Sequence, residues 1–156
     1  MKVSFDLDDT LFVSPNEFET EVVPSFTYKW KYKERLRKGT IELFERLRAM
    51  DVEIWIYTTS FRSERYIRGL FRCYGLEVEH IVNGERHAKE VQGVRAEAMP
   101  SKYPSRYRID LHIDDDVSVA QNGRVYGFKV SIVGPQDDAW VEKIVEEVER
   151  IQKIVK

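Results

Sequence analysis

Short apolar runs alternate along the chain with longer stretches whose apolar positions recur every three to four residues. Residues 1–5 (MKVSF) predict a first short strand. The stretch after it, through Pro15 and Pro24, is polar and aromatic without a period and predicts a loop or irregular hairpin. Thr40 then stands as an N-cap before IELFERLRAM, where Ile41, Leu43, Phe44, Leu47 and Met50 trace one helical face. EIWIYTT predicts a second, buried strand. Ser63 and Glu64 open a further helix with Tyr66, Ile67, Leu70, Phe71 and Tyr74 on its inner face, and Gly75 ends it. HIVN is a third strand and IDLHI a fourth; VYGFKVSIV is a fifth, after a turn at Asn122-Gly123. AWVEKIVEEVERIQKIV predicts an amphipathic helix capped by Asp137 or Asp138. Residues 84–107 are polar and ambiguous, the least legible part of the chain. The alternation predicts an α/β fold around a mainly parallel sheet.

Composition adds limits. At 156 residues the chain is expected to form one domain with a sizeable core. It is 42% hydrophobic and 33% charged with a net charge of −2, the balance of an ordinary globular protein. No apolar run approaches the ~18–20 residues that cross a bilayer, so no membrane partner is expected. The opening MKVSFDLDDT lacks the apolar core of a signal peptide. A single cysteine, Cys73, excludes an internal disulfide framework and fits a reducing, cytoplasmic setting; within a helical pattern it reads as packing filler.

The candidate chemistry lies where strands end. The first runs into Asp6, Asp8 and Asp9, the second into Thr58, Thr59 and Ser60, and the fourth into Asp114, Asp115 and Asp116. In open parallel sheets ligands bind beyond the carboxyl ends of the strands. Neighbouring strands would therefore crowd four or five carboxylates into one space, a repulsion that calls for a cation. Oxygen donors without a His/Cys cluster suit Mg²⁺ better than zinc. Metal, carboxylates and hydroxyls together point to phosphoryl chemistry. A calcium loop is the rival for Asp6, Asp8, Thr10 and Glu17, but Leu11 stands where that loop needs glycine. Asp116 reads as the N-cap of VSVAQN, and His80, His87 and His112 show no ligand spacing.

On these residues the chain resembles the haloacid-dehalogenase-like superfamily. DLDDT matches its DxDxT motif through Asp6, Asp8 and Thr10, and IWIYT its second motif. Lys102 matches the third and LHIDD the fourth, in the family's order. The resemblance implies a Rossmann-like three-layer sandwich and a Mg²⁺-dependent phosphohydrolase acting on a phosphomonoester through an aspartyl-phosphate. It implies Asp6 as nucleophile and Asp8 as general acid/base, pointing the same way if the chain stays extended. It implies Mg²⁺ on Asp6, the Asp8 main-chain carbonyl, Asp114 and Asp115. Thr58 would bind phosphate, with Thr59 or Ser60 as alternatives in the same role. Lys102 would offset charge, with Lys89 as its competitor. The rival is a non-catalytic module of the same fold that binds nucleic acid or a phosphorylated partner.

About 47 residues separate Thr10 from Thr58, so residues 12–38 leave room for a flap or very small cap and the site is expected to be open. Beside it, residues 29–48 hold eight Lys/Arg against three Glu, and FTYKWKYKERLRK interleaves aromatics with basic side chains from Lys29 to Lys38. That pattern suits nucleic acid or another polyanion, and equally an amphipathic strand with a solvated side. Arg62, Arg65, Arg68 and Arg72 are spaced to share a helical face.

Overall fold

The computed structural model describes all 156 residues. Five strands, β1 (Lys2–Phe5), β2 (Glu53–Tyr57), β3 (His80–Val82), β4 (Leu111–Asp114) and β5 (Val130–Ile132), form one sheet in the order β3-β2-β1-β4-β5. Every pairing is parallel, so each connection must cross a face of the sheet. The helices are α1 (Tyr28–Lys31), α2 (Thr40–Ala49), α3 (Glu64–Cys73), α4 (Gly84–His87), α5 (Val117–Tyr126) and α6 (Trp140–Val155). The fold is a Rossmann-like α/β sandwich of three layers.

Alternation along the strands decides what each face meets. Val3, Phe5, Ile54, Ile56, Leu111 and Ile113 join the main core with the apolar sides of α2, α3 and α6. Residues 12–38 are built into this core through Tyr28, Tyr32 and Leu36. The opposite face carries Ser4, Trp55, Tyr57 and His112; a smaller cluster with Val91, Tyr107 and Ile109 covers part of it. Its cover is the stretch without pattern: α4, a π-helical turn over Ala88–Gln92, and a 3₁₀ turn at Pro104–Tyr107.

Several local expectations change. The N-cap of α2 is Gly39, at φ 98°, and Thr40 is the first helical residue. The Glu21 carboxylate supplies the cap, accepting from Gly39 N at 3.0 Å and Ile41 N at 3.1 Å. Asn122-Gly123 lies inside α5 instead of forming a turn: a Cβ at Gly123 would stand 2.5 Å from the Phe128 carbonyl oxygen, so close packing requires the glycine. Because α5 runs to Tyr126 and Gly127 ends it at φ 73°, β5 shrinks to three residues. Asp137 accepts from Ala139 N at 3.0 Å and so fixes the turn before α6, which has no side-chain cap. Asp116 caps α5 through Ser118 N. Cys73 is exposed and fills no packing gap. No helix is long and apolar enough to cross a membrane.

Candidate functional site

Strand order reverses between β1 and β4: the chain moves outward through β2 and β3, then returns to β4 on the other side of β1. Ligand crevices of doubly wound sheets form at such a switch point. A cleft of about 510 Å³ opens there, lined by Asp6, Asp8, Thr59, Lys102, Asp114 and Asp115 among others.

The strands set these positions. The Asp6 amide donates to the Ile113 carbonyl at 2.9 Å, which holds the end of β1 against the end of β4. Asp6 follows Ser4 by two residues and Asp114 follows His112 by two, so all four side chains fall on the same face of the sheet. Lys102 reaches this face from the covering segment. Its Nζ lies 2.7 Å from Asp6 Oδ1 and 2.6 Å from Asp114 Oδ2, and the side chain is buried. Lys89 instead pairs with Glu85 on the surface.

His112 is fully buried under this pair. Its Nδ1 lies 2.7 Å from Ser4 Oγ and its Nε2 lies 2.8 Å from Asp114 Oδ2. Burial lowers the His112 pKa and keeps the ring neutral, against the hydrogen bond to Asp114. The partners then assign the tautomer: the Ser4 hydroxyl donates to Nδ1, and Nε2–H donates to Asp114. With Asp116 N on Oδ1 at 3.0 Å, Asp114 accepts from three donors.

The carboxylates are pushed in opposite directions. Burial raises Asp6 to about 7, against the pull of Lys102 and with a further push from Asp114. Burial raises Asp114 as well, but the donors of His112 and Lys102 outweigh it and hold this carboxyl well below the ordinary range. Asp115 is raised by burial and by Asp114. Oxygen atoms of Asp6, Asp114 and Asp115 lie within 4.8 Å of one another. Three carboxylates, two of them resisting ionisation, with no free histidine or cysteine among them, fit a hard divalent cation.

Asp8 departs from the extended-chain expectation. After Asp6 the chain turns sharply, with the Leu7 carbonyl accepting from Thr10, Leu11 and Phe12, and Asp9 sits at φ 61°. Asp8 lines the cleft, and its carboxylate is engaged by Arg62 instead of joining the trio. Arg62 Nη1 and Nη2 each lie 3.0 Å from one of its oxygens. Arg62 Nε donates to Glu34 at 3.1 Å, and Tyr66 Oη donates to the other Glu34 oxygen at 2.8 Å.

Arg62 thus precedes α3 and pairs with a cleft-lining carboxylate, while Arg68 binds Glu64 and the Val78 carbonyl. The four arginines do not form a common face. Thr58 is buried; its Oγ1 accepts from Ser60 N at 3.1 Å and donates to Ser60 Oγ at 3.2 Å, and Thr59 lines the cleft. The contacts of His112 with Ser4 and Asp114, and those of Arg62 with Asp8 and Glu34, are not among the expectations from sequence, which place Arg62 on a helical face. The spacing of Ser4 to Asp6 and of His112 to Asp114 carried the signal that Ser4 and His112 share the face of the carboxylates.

No protein-family model and no curated protein sequence matches the chain. Among solved structures it is similar to the crystal structure of an uncharacterized protein from Listeria monocytogenes serotype 4b. That likeness has 13% identity and a TM-score of 0.60, over 98% of this chain and 99% of that one. It is also similar to a chain of the Pnkp1/Rnl/Hen1 complex, with 12% identity and a TM-score of 0.53. There the match covers 85% of this chain and 45% of that one, so this chain spans less than half of that neighbour's length. At such identities the likeness concerns the fold alone.

Proposed function

We propose that the protein is a Mg²⁺-dependent phosphohydrolase of the haloacid-dehalogenase-like type, cleaving a phosphomonoester through an aspartyl-phosphate on Asp6. The observation that carries this reading is Lys102 held between Asp6 and Asp114 at the switch point of the sheet. A buried lysine there keeps two carboxylates apart and leaves positive charge where an incoming phosphate needs it. Mg²⁺ would be held by Asp6, Asp114, Asp115 and the Asp8 main-chain carbonyl, and would neutralise charge on the phosphoryl oxygens.

Asp6 attacks phosphorus in line, forming an Oδ–P bond as the bond to the leaving oxygen breaks. Asp8 gives its proton to that oxygen. It then takes a proton from water, which attacks phosphorus, breaks the Asp6–phosphate bond and frees inorganic phosphate. Thr58 or Thr59 donates to a phosphoryl oxygen, and Lys102 offsets charge on both phosphate and Asp6.

The test is turnover of p-nitrophenyl phosphate with Mg²⁺. EDTA and Asp6→Asn are each expected to abolish it, and full activity in Asp6→Asn would overturn the proposal. One observation favours a second reading, a phosphate-binding module without catalysis: both Asp8 oxygens are engaged by Arg62. Tight binding of a phosphorylated ligand, with no hydrolysis across a broad phosphate panel, would select it.

A further inference from the structure

The basic run from Lys29 to Lys38 divides into two groups in the fold. Arg37 is buried, donating to the carbonyls of Gly134 at 2.7 Å and Asp137 at 2.9 Å, with its guanidinium over Trp140. Arg35 lies over the Tyr28 ring and bonds nearby carbonyls, and Lys38 pairs with Glu19. Those three already have partners within the chain. Lys29, Lys31 and Lys33 are exposed, and no carboxylate lies within ion-pair distance of any of them.

The aromatics of the same stretch divide too. Tyr28 and Tyr32 point inward, their rings 5.1 Å apart, and pack against Tyr74 and Tyr66. Phe26 and Trp30 point outward, 76% and 81% exposed, with ring centroids 6.0 Å apart. Two large aromatic faces in water gain nothing for the fold, and buried Tyr28 and Tyr32 anchor the same short segment. Glu34, which follows Lys33 in the chain, holds the arginine that grips Asp8.

We propose that Phe26, Trp30, Lys29, Lys31 and Lys33 form a docking surface for single-stranded nucleic acid, with bases stacked on the two rings and phosphates neutralised by the three lysines. Charge complementarity selects a polyanion, and the outward rings select one with flat bases. An anionic membrane or inorganic polyphosphate would use the lysines but has nothing to stack. The inference stands apart from the phosphohydrolase reading, because binding is measured without turnover.

The experiment is fluorescence anisotropy of a labelled single-stranded oligonucleotide of about 10 nucleotides, with the whole protein free of Mg²⁺. Affinity should fall with rising salt at a log–log slope near −2, about 0.7 for each of three neutralised phosphates. Trp30→Ala and Phe26→Ala should each weaken binding about tenfold. Both residues lie on the surface, so the variants should melt as the parent does. Lys29→Gln/Lys31→Gln/Lys33→Gln should flatten the salt slope. Trp55 and Trp140 are buried, so quenching of tryptophan emission in the parent would report on Trp30. The proposal is overturned if the oligonucleotide does not bind at low salt, or if the alanine variants bind as the parent does. It is equally overturned if polyphosphate or phosphatidylserine vesicles bind as tightly as the oligonucleotide.

Discussion

Arg62 closes on Asp8 as a fork, with Nη1 and Nη2 each 3.0 Å from a different carboxylate oxygen. Its third nitrogen is held by Glu34, so a residue of the 12–38 segment fixes the direction in which the fork points. The Asp8 side chain is 56% exposed, and a pair so open to solvent contributes at most about 1 kcal/mol to folding. If Asp8 is the acid/base of the proposed reaction, its consequence should appear in catalysis. Arg62→Met is expected to lower kcat on an aryl phosphate about a hundredfold by releasing the acid/base from its place, with little change in melting temperature. Arg62→Lys keeps the charge without the fork and should fall between the two. Steady-state kinetics beside thermal melts test this, and unchanged kcat in Arg62→Met would reduce the contact to a surface ion pair.

Lys102 is the reverse case, because its side chain is buried with both of its partners. Lys102→Met would leave Asp6 and Asp114 facing each other without a counter-charge, a loss of about 3–5 kcal/mol in stability. Urea unfolding measures it. Mg²⁺ should restore part of the loss if the three carboxylates hold the ion, whereas a metal-independent deficit would place Lys102 in folding alone.

How far the sequence shows this site depends on the kind of contact. Strand ends are visible because an apolar run stopping at Asp6, Thr58 or Asp114 marks both the element and its polar terminus. Periodicity likewise shows the inner faces of α2, α3 and α6. What a side chain meets across the sheet is set by register, and no local pattern reports that Ser4 stands beside His112. The direction of Asp8 depends on a turn at Leu7, and Arg62 reads as one of four helical arginines until the chain before α3 is traced. Gly123 misleads for a related reason: Asn-Gly signals a turn by local preference, but here the glycine answers to the Phe128 backbone packed against α5. The covering segment of residues 84–107 was illegible because its π-helical and 3₁₀ turns have no fixed apolar period.

His112 offers a separate test of that register. Replacing it with leucine removes one donor from Asp114 and the acceptor for the Ser4 hydroxyl, both buried, at a cost of about 1–3 kcal/mol. His112→Asn fills less space and restores only part of the bonding, so an intermediate loss is expected. Because Asp114 is also a candidate ligand, Mg²⁺ affinity by calorimetry should weaken in His112→Leu, about 10–100-fold for a lost outer-shell partner. Unchanged affinity with lowered stability would mean that His112 supports the sheet alone.

The raised pKa of Asp6 links cation binding to pH. Its carboxyl titrates at about 7 in the fold against an ordinary 3.8, so between these values the native state holds a proton that the unfolded chain has lost. Stability of the metal-free protein should therefore fall as pH rises across that window and level off above it. Asp115, also raised, adds to the same slope. His112 acts in the opposite sense: its lowered pKa makes folding less favourable as pH drops below 6.5. A cation bound to ionised Asp6 removes the penalty, so Mg²⁺ should raise the melting temperature little near the acid end and by several degrees above pH 7. Asp6→Asn lacks the titrating group and keeps His112, so it isolates the effect: the pH-dependent part of the Mg²⁺ shift should shrink to what Asp115 supplies. Scanning calorimetry across the window decides it, and an Mg²⁺ shift of equal size at every pH, or one unaltered in Asp6→Asn, would remove Asp6 from the metal site.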